Sequence, residues 1–311
     1  MNRHIFHSLS QAQCIQITAL HALCAPEKKA PEQEPSVLCL VLPDPDSSEE
    51  DVFYGLYYIE ETLVSFLSFF CPDGKTAEIS GFTHPDYQNR GCFSLLLEEA
   101  RAEALSCFGP VSLIYQCLSW HPGTQALIQT EKLCFSHAEC LLTKTISHRK
   151  QDSCPSPSLP PVRLESAGES SRSLLIHLHE KAFGSGPEFA ESYMDTNLQN
   201  PATESFLICS PGGTAAGLLH ITTDESSRVF YLMGFGILSE FRRKGYARAA
   251  LRALYGRLAS GSRLLLQVST ENFPAFRLYE SEGFQIHSRL DYFSSPSSAS
   301  VNASFSVPPK E

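Results

Sequence analysis

From Ile237 to Ala247 the chain reads Ile-Leu-Ser-Glu-Phe-Arg-Arg-Lys-Gly-Tyr-Ala, an apolar run that passes through a basic, glycine-containing turn into a helical stretch. A turn of this kind binds anions. The first backbone N–H groups of a helix have no intrahelical partner, the helix dipole adds partial positive charge there, and Gly245 lets a phosphate approach the main chain. Arg242, Arg243 and Lys244 set full charges beside the first helical residues, Tyr246 and Ala247. Taken alone, the turn is either a phosphate site or a solvated basic helix start. It is not a dinucleotide fingerprint, because Gly-x-Gly-x-x-Gly is absent. Nor is it a P-loop, because Gly74-Lys75-Thr76 has Phe69 where the first glycine must stand.

A second pattern lies downstream, where Asn272, Ala275, Tyr279, Gly283 and Phe284 are spaced Asn-x-x-Ala-x-x-x-Tyr-x-x-x-Gly-Phe. Together with Arg-x-x-Gly-x-Ala at 242–247, it resembles the pyrophosphate loop and the following segment of the GCN5-related N-acetyltransferase superfamily. The resemblance implies an α/β fold of two tandem domains, each a mixed, mostly antiparallel central sheet flanked by helices. It implies acetyl-CoA as co-substrate and no metal. The main chain at Phe235, Ile237 and Leu238 would hold the pantetheine arm and the acetyl oxygen where two central strands splay, and 242–247 would hold the diphosphate. Asn272 would touch the pantetheine, and Tyr279 would protonate the departing thiolate, a task suited to a phenol whose ordinary pKa of about 10 exceeds that of a thiol. The plainer reading of Tyr279 is a core residue of a short helix. Relatives that acetylate protein amino termini often carry a Glu on the strand before the Asn; here Gln267 stands there and cannot take a proton. Asp224, Glu225, His220 and Glu188 are the substitute bases, acting directly or through water, although each reads more readily as a solvated turn or surface residue.

These residues need a regular frame. In the second half, helical spacing at 173–183 precedes strands at 205–209, 215–222 and 229–238. Ala247, Leu251, Leu254 and Leu258 then form one stripe of a helix that stops near Gly261. A strand at 264–268, a short helix at 274–281 and a strand at 284–293 complete it. The first half repeats the order, with strands at 37–42, 52–59, 63–70 and 77–82, a helix bearing Phe93, Leu96, Leu97, Ala100 and Ala104, a strand at 111–117 and a helix at 124–133. One repeat of about 150 residues predicts two homologous bodies, 1–150 and 162–293, joined by a Pro/Ser-rich linker at 151–161 and followed by a disordered tail at 294–311. The first copy keeps Gln88 and Gly91 in its turn but has Phe93 where the family has Gly or Ala. Its later segment has Cys134 for the usual Gly and lacks the Asn and Tyr. The resemblance therefore assigns the working site to the second copy.

Composition bounds the partners. At 311 residues and 42% hydrophobic content each half can bury its own core. A net charge of -10 argues against a nucleic-acid binder, which needs excess Lys and Arg to displace counterions. The 11 Cys residues never form Cys-x-x-Cys and are odd in number, which fits a reducing cytoplasm. The first residues lack the apolar core of a signal peptide, and no apolar run reaches the ~20 residues that span a bilayer. His177-Leu178-His179 lacks partners at zinc spacing, Trp120 beside His121 reads as packing, and Cys39 and Cys209 read as small buried hydrophobes. The expected function is transfer of an acetyl group from acetyl-CoA to a primary amine of a small molecule, peptide or protein, with the acceptor shaped by 183–200 and 224–227. The alternative from another class is a non-catalytic CoA sensor or scaffold.

Overall fold

The computed structural model describes residues 2–24, 52–71, 74–118, 122–147, 159–224 and 228–295. The strand expected at 37–42, Cys39, Trp120, His121, Glu225, most of the 151–161 linker and the tail beyond 295 lie outside the described residues. Two compact units emerge: residues 1–138 with 290–311, and residues 139–289.

The first unit runs β1 (Asn2–Phe6), α1 (Gln11–Cys24), β2 (Val52–Ile59), β3 (Thr62–Phe70), β4 (Thr76–Thr83), α2 (Cys92–Phe108), β5 (Ser112–Leu118) and α3 (Pro122–Glu131), then enters β6 (Cys134–Thr145). The second comprises β7 (Arg163–Ala167), α4 (Arg172–Phe183), α5 (Pro187–Gln199), β8 (Thr203–Cys209), β9 (Ala215–Asp224), β10 (Val229–Ile237), α6 (Tyr246–Tyr255), β11 (Arg263–Ser269), α7 (Phe273–Ser281) and the start of β12 (Gln285–Ser294). In the first unit β1 to β5 follow one another across the sheet and residues 290–294 of β12 pair with β5. In the second the order is β7-β8-β9-β10-β11, closed by residues 139–145 of β6 against β11. Each sheet is antiparallel except at β4–β5 and at β10–β11. Those are the strands joined by a helical crossover, which a parallel pair requires.

The two ends of β6 and of β12 fall in different units, an exchange that the repeat alone does not announce. The strand at 134–145 was not expected: Cys-Phe-Ser-His-Ala-Glu-Cys-Leu-Leu-Thr-Lys-Thr alternates only in its middle, where Ala138, Cys140, Leu141 and Leu142 are buried. α1, α5, β1 and β7 were also unforeseen, because each is short or carries polar residues on most of its surface. The helix beginning at Tyr246 stops at Tyr255 rather than near Gly261, and Leu258 is buried from the turn beyond it.

The second unit buries a layer on each face of its sheet. On one, Ala250, Leu251 and Leu254 of α6 and Tyr279 of α7 meet Leu232, Leu264 and Leu266. On the other, Leu175 and Leu178 of α4 and Met194 of α5 meet Leu218. Each fully buried Leu contributes about 1.5–3 kcal/mol. Small residues allow the close layers: a Cβ on Gly217 would lie 2.1 Å from the carbonyl oxygen of Gly236, and one on Gly236 would lie 2.8 Å from Ala182 of α4. Among the described residues no helix is long and apolar enough to cross a membrane.

Candidate functional site

After β10 a 3-10 turn at Ser239–Phe241 leads to Arg242 in extended conformation, Arg243 at φ 61 and Gly245 at φ 85, ψ 0, which caps α6. Ala249 N–H donates to the Gly245 carbonyl, so the amides of Tyr246, Ala247 and Arg248 are the free first turn of the helix. Gly245 has the left-handed conformation that glycine adopts at least cost, and the side chains of Leu159 and Pro160 lie 3.1 Å from where its Cβ would be. Lys244 and Arg243 are exposed. Arg242 is committed elsewhere: its Nε donates to the Ile237 carbonyl at 2.8 Å and its Nη2 to the Ala182 carbonyl at 2.6 Å. Its guanidinium ties the end of β10 to the end of α4.

The first unit builds the same turn. Gln88, at φ -64, ψ 155 beside -65, 154 for Arg242, donates from Nε2 to the Thr83 carbonyl at 3.2 Å. Asn89 at φ 58 and Gly91 at φ 78, ψ 4 match Arg243 and Gly245. The copies part at the next position that matters. The Phe93 ring lies 2.7 Å from where a Cβ on Gly81 would be, so an aromatic side chain covers β4 there, where the second unit has Ala247.

β10 and β11 pair only over Val229–Tyr231 and Arg263–Leu265, and beyond these three pairs they are unpaired with each other. A register shift between Met233 and Gly236 on the β9 side accompanies the divergence, with Gly234 at φ 51. The result is a wedge open toward the turn. One wall is main chain from Leu232 to Ile237. Phe235 and Ile237 turn toward α6 and α7, and Leu238 N–H is taken by the Ala216 carbonyl.

Asn272 and Tyr279 stand on α7. Asn272 Oδ1 caps the helix by accepting from Ala275 N–H at 3.4 Å, which leaves its amide N–H groups for other use. Tyr279 is 7% exposed, with its ring edge-on to Phe284, and no hydrogen bond engages its hydroxyl among the described residues. Burial pushes its phenol well above the ordinary value, so it stays protonated. α7 is locked to α6 by Glu282, 6% exposed, whose carboxylate is 2.9 Å from Arg248 and 3.3 Å from Arg252.

The substitute bases separate. Glu188 is exposed at the start of α5, and the side chain of Asp224 falls outside the described residues, as does Glu225. His220 is fully buried on β9; its Nδ1 is 2.8 Å from Ser205 Oγ, its Nε2 has no partner, and burial pushes its pKa down to about 4. It is a neutral imidazole against Gly234. Gln267 is exposed on β11 and donates from Nε2 to the carboxylate of Glu139 on β6. Sequence reasoning missed Glu139, because only the strand register brings it there.

A groove of about 320 Å³ opens between α5, the start of β8 and Met233 of β10. Phe189, Tyr193 and Met233 form its apolar part, with Ser192, Thr196, Asn197, Asn200 and Thr203 as uncharged polar lining. Sequence reasoning placed acceptor contacts in 183–200 without resolving these side chains. His177 is exposed while His179 is buried against Ser185, Phe183 and Tyr193, so the two do not converge. In the first unit His7, Glu103 and Cys107 do converge, within 4.8 Å of one another, with Glu103 already 2.9 Å from His7.

Residues 173–284 match the family model described as "Acetyltransferase (GNAT) family". No curated protein matches the chain by sequence. Among solved structures, the chain is similar to a GCN5-related N-acetyltransferase from Sphaerobacter thermophilus, with 14% identity, 94% of this chain and 95% of that one covered, and a TM-score of 0.70. A tandem GNAT protein from the clavulanic acid biosynthesis pathway aligns with 14% identity, 94% and 98% coverage and a TM-score of 0.67. A GNAT-family acetyltransferase from Colwellia psychrerythraea aligns with 13% identity, 94% and 99% coverage and a TM-score of 0.59. The second unit therefore belongs to the acetyltransferase (GNAT) family of acyltransferases, and the chain as a whole has the fold of its tandem members.

Proposed function

We propose that the second unit transfers an acetyl group from acetyl-CoA to a primary amine by direct attack in a ternary complex. The observation that carries this reading is the wedge between β10 and β11, which opens toward the αL glycine and free amides at the start of α6. Those amides, with Arg243 and Lys244, suit a diphosphate. The unpaired main chain of β10 offers hydrogen bonds along an extended pantetheine arm and to a thioester oxygen, whose developing charge such donors stabilise. Asn272 can donate from its amide to that arm, and Tyr279, a neutral phenol on α7, delivers a proton to the leaving sulfur. The uncharged α5 groove meets β10 at Met233 and has the size of a small-molecule site, at the lower end of ~300–1,000 Å³. It favours a small acceptor. In the first unit Phe93 fills space beside β4, so acetyl-CoA binds to the second unit alone.

Calorimetry of the full chain with acetyl-CoA, followed by thiol release across a panel of amines, tests the reading. One bound acetyl-CoA per chain and amine-dependent thiol release are expected. Binding without release with any amine would make the protein a CoA sensor instead.

A further inference from the structure

We propose that His7, Glu103 and Cys107 form a binding site for a zinc ion in the first unit, a site that does not depend on the acyl-transfer reading and uses none of its residues. Three donors of different kinds meet there: an imidazole nitrogen, a carboxylate oxygen and a thiol sulfur all lie within 4.8 Å of one another. Glu103 Oε1 is the hub, 2.9 Å from His7 Nε2 and 3.6 Å from Cys107 Sγ. Among the described residues no other group of His, Cys, Asp and Glu converges in this way. Tetrahedral zinc, with bonds of about 2.0–2.2 Å to nitrogen and oxygen and about 2.3 Å to sulfur, sets its ligand atoms roughly 3.3–3.7 Å apart. The spacings here bracket that edge, so shifts of about one ångström, within reach of side-chain rotation, bring all three atoms onto the ion. A surface ion pair of His7 with Glu103 accounts for two of the groups but not for a thiol one helical turn along.

The frame holds these donors together. Glu103 and Cys107 are four apart on α2 and so share one face, the spacing by which a helix offers two ligands to one metal. His7 follows β1 directly, and Ile5 of that strand packs against the core that Leu96, Ala100 and Ala104 of α2 help to form. One turn before Glu103, Glu99 is 3.1 Å from Arg3, which clamps β1 along the helix. The His7 ring lies 5.9 Å from that of the fully buried Phe53. The side chains of His7 and Glu103 are 54% and 34% exposed and Cys107 is exposed, so a cation enters from solvent. The donor set selects the ion: a thiolate and an imidazole suit zinc, whereas calcium and magnesium take oxygen ligands. On binding, the Cys107 thiol gives its proton to solvent and its sulfur takes the metal, and three protein ligands leave the fourth position for water. The ion staples the end of β1 to the crossover helix across 96 positions of sequence.

The test uses the full chain, stripped of metal with a chelator and titrated with Zn²⁺ or, for its spectrum, with Co²⁺. Calorimetry should show uptake of Zn²⁺, and the thermal midpoint should rise by about 5–10 °C at roughly 100-fold excess over Kd. Co²⁺ should give the near-ultraviolet band of a thiolate ligand. Cys107→Ser should remove that band and weaken Zn²⁺ by about ten-fold or more, while His7→Gln should keep the band and weaken Zn²⁺ to a similar degree. Cys134→Ser, at another exposed cysteine, should change neither. The metal-free midpoints of all three variants should match that of the metal-free wild type, which separates loss of the ion from loss of the fold. A Co²⁺ band that survives Cys107→Ser, or a Zn²⁺ affinity unmoved by both ligand substitutions, would put the metal elsewhere and overturn the assignment. A wild type that takes up no Zn²⁺ would overturn it as well.

Discussion

Arg242 donates to two main-chain carbonyls, whereas Lys244 and Arg243 stand exposed beside the free amides of α6, so the three basic residues of the turn should fail in different ways. Arg242→Ala removes the hydrogen bonds to the carbonyls of Ile237 and Ala182 and should lower the thermal midpoint even without ligand, costing about 0.5–1.5 kcal/mol because water can reach the carbonyls it leaves. Lys244→Glu should leave that midpoint unchanged and weaken acetyl-CoA binding by calorimetry, more at low salt than at high, because an exposed charge is screened. The sequence pointed to the turn but not to this division, since a guanidinium that folds back on its own strand and one that reaches for phosphate have the same letter. At Tyr279, replacement by Phe removes the proton for sulfur without emptying the core around Phe284. Turnover should fall by about 10²-fold while acetyl-CoA affinity holds, and unchanged turnover would return Tyr279 to plain packing.

β9 carries a penalty that pH can expose. His220 is held neutral at a folded pKa of about 4 against 6.5 in the unfolded chain, so between those values the unfolded state binds more protons. The stabilisation is complete above pH 6.5 and is lost as pH falls toward 4, by roughly 3 kcal/mol in all. The urea midpoint should drop across that window, and His220→Gln should flatten the drop; an unchanged slope would mean another group carries it. The β9–β10 pair is equally demanding sterically. Gly217→Ala drives a methyl into the Gly236 carbonyl and should yield insoluble protein, while Gly236→Ala meets the Ala182 methyl and the Phe183 ring of α4, which can give way only by shifting α4, and should fold with a lower midpoint. The strands expected at 205–209, 215–222 and 229–238, which correspond to β8, β9 and β10, were legible from their apolar runs, as was α6 from its stripe. α5 was not, because Ala190, Met194 and Asn197 are its buried residues and a polar Asn at one of three positions erases the helical period.

The repeat of about 150 residues was plain in the two turns and two crossover helices, and the compact units are bounded inside two strands, at 138/139 in β6 and at 289/290 in β12. Residues 139–145 cover the edge of β11 in the second unit, and residues 290–294 lie against β5 in the first. Periodicity reads which residues form strands; it cannot read which neighbour a strand takes, because antiparallel partners are chosen by register and by the chain path available. The consequence is a sharp difference between two nearly coextensive fragments. One spanning 139–289 holds every strand of the second sheet and should unfold cooperatively and bind acetyl-CoA. One spanning 151–311 begins inside the Pro/Ser-rich segment, lacks β6 and bares the edge of β11 with Leu264, Leu266 and Val268 beneath it, so it should aggregate. If the 151–311 fragment, once refolded, acetylated amines as fast as the full chain, β6 would be dispensable to the second sheet and its place beside β11 would fall as a folding requirement.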